Sequence, residues 1–245
     1  MTGYREASAG VSGVVAWQRE AMPDPSAPSR ILPDGCMDLI WDGTRLFVAG
    51  PDRVARLHTD ASSASYAALR FADGTGPAMV GVPADTLTDL TVDLADLWPS
   101  RRAAELEAHV AEDPLRALVG WARQRSTVAS PDPLGPAVRR MAAAGTDVAT
   151  MADRVGFSTR QLHRRCLRLF GYGPKHLVRV LRLGRALELG RDGLGAAEVA
   201  VAAGYADQPH FARDTRTLAL ATPRALLAPL SRAPRTGRRD GRPGP

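Results

Sequence analysis

Thr159, Arg160, His163, Arg164 and Arg168 fall at helical spacing on the face opposite Leu162. In a second stretch, Asp207, Gln208, Ala212, Arg213 and Arg216 stand in the same way around Phe211. Arg can present two parallel donors to guanine, and Gln can pair with adenine through two bonds, so such faces suit the reading of base edges in a major groove. A lone charged stripe is usually a solvated helix face. Two stripes that each follow the same kind of turn point instead to DNA contact.

Those turns are what must position the side chains. Met151-Ala152-Asp-Arg-Val155-Gly156-Phe157 is echoed by Val199-Ala200-Val-Ala-Ala203-Gly204-Tyr205. In each copy a small Ala lets a second helix cross closely. A Gly then supplies the left-handed residue that ends the first helix, and an aromatic follows. Ser158 and Asp207 are good N-caps for the next helix, whose inward faces hold Leu162 and Leu169 in one copy and Phe211 and Leu218 in the other. This is helix-turn-helix grammar written twice. Between the copies, Pro174 to Arg191 predicts a helix of about 25 Å at 1.5 Å per residue, with Leu177, Leu181 and Leu187 as apolar contacts. Grooves on one face of DNA recur about every 34 Å, so two reading helices need a stiff spacer.

Charge agrees with this division. The 245 residues carry a net +6, but residues 1–129 hold 12 Arg against 17 Asp and Glu, a net −5, while residues 130–245 hold 20 Lys and Arg against 9 Asp and Glu, a net +11. A basic half joined to an acidic half fits a polyanion-binding module attached to a different unit. Three prolines and a glycine in the eleven residues Ser126–Pro136 mark a linker where the sign changes. The sequence therefore divides into residues 1–125, a linker at 126–136, a helical unit at 137–230 and a basic Arg/Gly/Pro tail at 231–245.

Residues about 137–230 resemble the AraC/XylS-type DNA-binding domain. The matching stretches are Gly156-Phe-Ser-Thr-Arg-Gln-Leu-His-Arg164, Gly171-Tyr-Gly-Pro174, Arg182-Leu183-x-x-Ala186, Gly204-Tyr-Ala-Asp-Gln-Pro-His-Phe-Ala-Arg213 and Thr222-Pro223. The resemblance implies two helix-turn-helix units whose second helices enter successive major grooves. It implicates Arg160, His163 and Arg164 in the first unit and Gln208, Pro209, Ala212 and Arg213 in the second. The chain departs from the family pattern at Cys166 and Thr215, where an aromatic is usual, and at Leu220, where a Gly is usual. Cys166 reads as a small core residue.

The acidic half is read as strands at Val14–Trp17, Met37–Trp41, Leu46–Val48 and Ala67–Phe71, with Asp42-Gly43 as a hairpin turn. Leu87, Leu90, Leu94 and Leu97 recur at helical spacing, with Thr91-Val92 as a point where the turn can break, and Arg101–Val110 and Pro114–Arg125 read as two further helices. The expected class is α+β: a β-rich, barrel-like N-terminal domain with trailing helices, then an all-α domain. Ile31-Leu-Pro-Asp-Gly-Cys-Met-Asp-Leu-Ile-Trp41, Val48-Ala-Gly-Pro-Asp52, Leu69-Arg-Phe71 and Val80-Gly-Val-Pro83 resemble a poorly characterised module that precedes this DNA-binding domain in some regulators. By analogy it senses a small-molecule effector, dimerises, or does both. The implied partners are double-stranded DNA, a small-molecule effector, a second copy of the chain and, for an activator, RNA polymerase.

Asp34, Cys36 and Asp38 alternate. On a strand they would share a face with Ile40, as a polar pocket or a reactive thiol. The plainer account, a tight Pro-Asp-Gly turn with Cys36 buried, is preferred. His58 and His109 lack visible metal partners, so neither a metal nor a cofactor is expected. An alkyl-acceptor enzyme would want a Cys-His-Glu set or four cysteines, and the chain has two cysteines, so no catalytic residue is assigned. A non-specific basic scaffold would have no need of a duplicated Gly turn. With no bilayer-length apolar run and no apolar signal-peptide core at the start, a cytoplasmic location away from membranes is expected.

Overall fold

The computed structural model describes residues 3–20, 29–58 and 65–227. The reading of 231–245 as a tail lies outside them. The described N-terminal part holds eight strands: β1 (Tyr4–Val11), β2 (Val14–Arg19), β3 (Ser29–Ile31), β4 (Met37–Trp41), β5 (Leu46–Ala49), β6 (Arg56–His58), β7 (Tyr66–Phe71) and, after a first short helix, β8 (Thr91–Asp93). Six of them form an antiparallel sheet in the order β1-β2-β7-β4-β5-β8, and β3 pairs with β6 in a separate ribbon. Period-2 alternation decides the sheet's buried face. Met37, Leu39 and Trp41 of β4, Leu46 and Val48 of β5, and Val14 and Ala16 of β2 all point into one core. The Asp42-Gly43 hairpin joins β4 to β5 as expected. Asp42 Oδ1 accepts from the backbone N–H groups of Thr44 and Arg45 at 2.9 and 3.0 Å, and Gly43 takes the positive φ of 95°.

Short helices α1 (Gly76–Val80) and α2 (Leu94–Leu97) and longer ones α3 (Ser100–Glu112) and α4 (Pro114–Ser126) cover that core. Leu118, Ala122 and Val110 are fully buried against it. The helical period expected from Leu87 to Leu97 is not a helix. A 3₁₀ turn at Ala84–Thr86 is followed by β8, which pairs with β5, and only then by α2. Leu87 and Leu94 are buried while Leu90 is 48% exposed, because the backbone here is drawn to the sheet edge, where Gly50 N–H donates to the Leu90 carbonyl at 2.9 Å.

Seven helices complete the described chain: α5 (Leu134–Ala143), α6 (Val148–Arg154), α7 (Thr159–Phe170), α8 (Pro174–Arg191), α9 (Ala196–Ala202), α10 (Gln208–Ala219) and α11 (Pro223–Leu227). Leu134, Gly135 and Pro136, read from sequence as the end of a linker, form the first turn of α5, and Leu134 and Gly135 are buried. Two cores lie along α8. Leu162, Cys166, Phe170, Met151, Val138 and Leu177 build one; Phe211, Leu218, Val199, Ala200, Leu183 and Ala186 build the other. Cys166 is a core side chain, and burial pushes its thiol up to about 12.

Candidate nucleic-acid interface

In the first unit α6 starts at Asp147, whose carboxylate accepts from Thr150 N–H at 3.0 Å. It ends at Gly156, φ 71°, which any Cβ-bearing residue would strain. Ser158 then caps α7 reciprocally: Gln161 N–H donates to Ser158 Oγ at 3.2 Å, and Ser158 N–H donates to Gln161 Oε1 at 2.8 Å. With Leu162, Cys166, Leu169 and Phe170 buried, 100° per residue leaves Arg160, Arg164 and Arg168 in a row on the opposite side. All three are exposed, with no ion pair among the described residues. Thr159 and His163 stand on the flank of that row. They line a concavity with Gly173, Lys175, His176 and Arg179 at the start of α8. Arg165 serves structure instead: it pairs with Asp132 at 3.2 Å and lies over the Phe157 ring.

The second unit repeats the geometry with different side chains. Gly204, φ 87°, ends α9, and Asp207 caps α10 by accepting from His210 N–H at 2.6 Å. Phe211 takes the place of Leu162, so Pro209, Arg213 and Thr217 occupy the row held by Arg160, Arg164 and Arg168. Gln208, Ala212 and Arg216 all fall on one flank of that row, Arg216 nearest to it. Thr217 was absent from the sequence reading, although its place four residues after Arg213 was a usable signal. Thr215, buried at a usual aromatic position, donates its hydroxyl to the Phe211 carbonyl at 2.7 Å and so needs no partner across the core.

The spacer α8 has 18 residues and spans about 27 Å. Its Arg179 donates to Asp214 of α10, Nε at 3.0 Å and Nη2 at 2.9 Å, and Asp214 is only 6% exposed. Sequence reasoning missed this pair, which fixes α10 to α8. Removing the Asp214 charge leaves Arg179, half-buried against α10, without its counter-ion. Asp214→Asn is therefore expected to cost about 1–2 kcal/mol of stability, read as a lowered thermal unfolding midpoint. An unchanged midpoint would show that the pair holds nothing.

The N-terminal domain grips both units, reaching the arginine row only at Arg168, which shares a concavity with Pro77, Val82 and Pro83. Gly135 sits where a Cβ would lie 2.1 Å from the Asp73 carbonyl oxygen. Arg139 meets Asp73 Oδ1 at 3.3 Å and donates to the Asp34 carbonyl at 3.2 Å. Thr88 Oγ1 donates to the Gly171 carbonyl at 3.0 Å, and His176 Nε2 donates to that of Arg53 at 3.0 Å. On the second unit, Ala55 N–H donates to the Leu218 carbonyl at 2.6 Å, and Arg30 donates to the Ala219 and Leu220 carbonyls at 2.5 and 3.1 Å. The loose carbonyls at the end of α10 are thus satisfied from the other domain. Leu220 itself takes the left-handed conformation, φ 52° and ψ 33°. That conformation costs a Cβ-bearing residue about 1–2 kcal/mol, so Leu220→Gly is expected to raise the unfolding midpoint. A lower one would refute the strain.

Asp34-Gly35-Cys36 is a turn: Cys36 N–H donates to Asp34 Oδ1 at 2.9 Å, and Gly35 has φ 79°. Cys36 is buried, and that burial pushes its thiol well above the ordinary range, which removes the thiolate a reactive cysteine needs. Among the described residues no group of three or more His, Cys, Asp or Glu side chains could hold a metal ion, and no helix is long and apolar enough to cross a membrane.

Two capped Gly turns, two presented helices and one spacer define a double helix-turn-helix protein. Residues 151–228 match the family model of a helix-turn-helix domain, and residues 14–93 match that of a domain of unknown function (DUF6597). The chain thus carries a helix-turn-helix domain behind that uncharacterised domain, the make-up of a DNA-binding transcription regulator. Among solved structures it is similar to an apo variant of ToxT from Vibrio cholerae, at 11% identity, covering 92% of this chain and 100% of that one, with a TM-score of 0.48. A second ToxT structure from the same organism aligns at 10% identity, covering 92% and 98%, with a TM-score of 0.49. No curated protein matches the chain.

Proposed function

We propose that the protein binds specific double-stranded DNA sequences, with α7 and α10 in successive major grooves. In this reading Arg160, Arg164 and Arg168 face the groove from α7, flanked by Thr159 and His163. Pro209 and Arg213 face it from α10, flanked by Gln208, Ala212 and Arg216. Residues 137–230 form the DNA-binding unit and 126–136 join it to residues 1–125, which sense an effector or bring two copies together. The observation that carries the reading is the duplicated exposed row on two helices tied to one spacer. Selection of bound sequences from a random duplex library by the full chain tests it. The expected result is an enriched motif with two parts about one helical turn, roughly 10 base pairs, apart. A library that emerges without enrichment would sink it.

A further inference from the structure

The second unit is the poorer in cations. Its row on α10 holds Arg213 between Pro209 and Thr217, where α7 presents three arginines. Yet the chain that leaves this unit is strongly basic. α11 packs on α8, α9 and α10, with Leu226 and Leu227 against the second core. Leu227 is pinned at the end of the spacer, since a Cβ at Gly190 would lie 2.3 Å from its Cδ2. Arg224 is exposed on the same short helix. Beyond that anchor, residues 228–245 carry five Arg against one Asp, a net +4. Over a third of the +11 of the basic half therefore follows the helix-turn-helix units rather than belonging to them.

From residue 231 on, the arginines are interleaved with Gly, Pro, Ala, Ser and Thr, and no apolar side chain is larger than Ala or Pro. Such a stretch has nothing to bury in a core. Its chemistry fits a DNA minor groove. That groove is about 6 Å wide, too narrow for a helix, and Gly and Pro keep the chain slim. Where an A·T tract narrows the groove further, its negative potential deepens and draws guanidinium groups in. The length is sufficient. Arg238, Arg239 and Arg242 stand 11 to 15 residues beyond Leu227, a reach of up to about 36 to 50 Å. One helical turn of DNA is about 34 Å, so the minor groove beside α10 is within that reach. We propose that residues 231–245 are a minor-groove arm, in which Arg238-Arg-Asp-Gly-Arg242-Pro enters an A·T-rich minor groove next to the major groove that holds α10. This rests on the DNA reading proposed above for α7 and α10. It adds readout of groove shape to readout of base edges, on the side where the reading helix has the fewest cations.

The test is selection of bound duplexes from a random library by the full chain and by a triple variant, Arg238→Ala, Arg239→Ala and Arg242→Ala. Fluorescence anisotropy on the selected duplex follows. The parent is expected to enrich an A·T run beside the half of the motif that Arg213→Ala relaxes. The triple variant should keep both halves of the motif and lose that run. Its affinity should fall about tenfold or more, and its log–log salt slope should be shallower by about 2 to 3, close to 0.9 for each cation removed. Exchanging the run for G·C should weaken the parent and leave the variant unmoved. A variant with the parent's motif, affinity and slope would overturn the arm. So would a loss of affinity that is the same on every flank, since that leaves contact with phosphates alone. A variant that binds DNA more tightly would seat these arginines on the acidic half of the chain instead, and the arm would fall. A two-part motif without an A·T run removes the arm and spares the reading helices, whereas a parent that enriches nothing removes the DNA reading itself.

Discussion

Affinity for DNA is expected to fall on the order of a thousand-fold as salt rises from about 50 to about 200 mM. The cause is counterion release: each phosphate neutralised by an Arg or Lys frees condensed ions, and the gain shrinks as the bulk salt concentration climbs. The basic half has a net +11, but part of that charge is already spent inside the fold. Arg139 is held by Asp73, Arg165 by Asp132 and Arg179 by Asp214. The remaining exposed arginines and Lys175 suffice for about six phosphates, which gives a log–log slope near −5. Fluorescence anisotropy on one duplex across a salt series measures that slope. A flat titration would mean that recognition runs without phosphate contacts, and the groove-bound geometry would fail with it.

How much of this was legible in the sequence depends on the range of the interactions involved. Ser158, Gly156, Asp207 and Gly204 act within one turn of themselves, so the helix boundaries they set could be read without a structure. The same holds for Asp42-Gly43, whose hydrogen bonds stay inside four residues. Residues 84–97 resisted because Leu87, Leu90 and Leu94 fit a helical period while the backbone between them is claimed by β5. The one local mark is the β-branched pair Thr91-Val92, which breaks the helical turn and lies in β8. Ribbon strands β3 and β6 are three residues each, too short for periodicity to reveal. The grip of Arg30, Ala55, Thr88 and Arg139 on the helical units is a matter of tertiary placement alone. The faces of α7 and α10 were legible as sets. Which members stand in the central row was not, since the five candidates spread over about 180° of α7 and about 140° of α10. Burial of Leu162 and Phe211 picks out Arg160, Arg164 and Arg168 on one helix and Pro209, Arg213 and Thr217 on the other.

That comparison ranks the two helices. Arg164→Ala is expected to cost about 1–3 kcal/mol in binding and to relax the choice of base at one position, while Arg213→Ala should cost less. The two arginines hold equivalent places, the middle of the row opposite Leu162 and Phe211, so the difference comes from their neighbours. Arg164 stands between two further guanidinium groups one turn away on either side, each able to bond a base edge or a phosphate. Around Arg213 the same places hold Pro209, which has no side-chain donor, and Thr217, whose hydroxyl already donates to the Arg213 carbonyl at 2.9 Å. A row with three cations keeps its helix seated in the groove, so the central Arg reads its base from a fixed position. A row with one depends for its seating on Arg179, Asp214 and the contacts at Leu218 to Leu220. The first unit should therefore supply most of the discrimination and the second mainly affinity. Quantitative binding of each variant to every single-base change in the selected motif decides the matter. The ranking is wrong if Arg213→Ala proves the more damaging, or if Arg164→Ala leaves the preference at every position as it was.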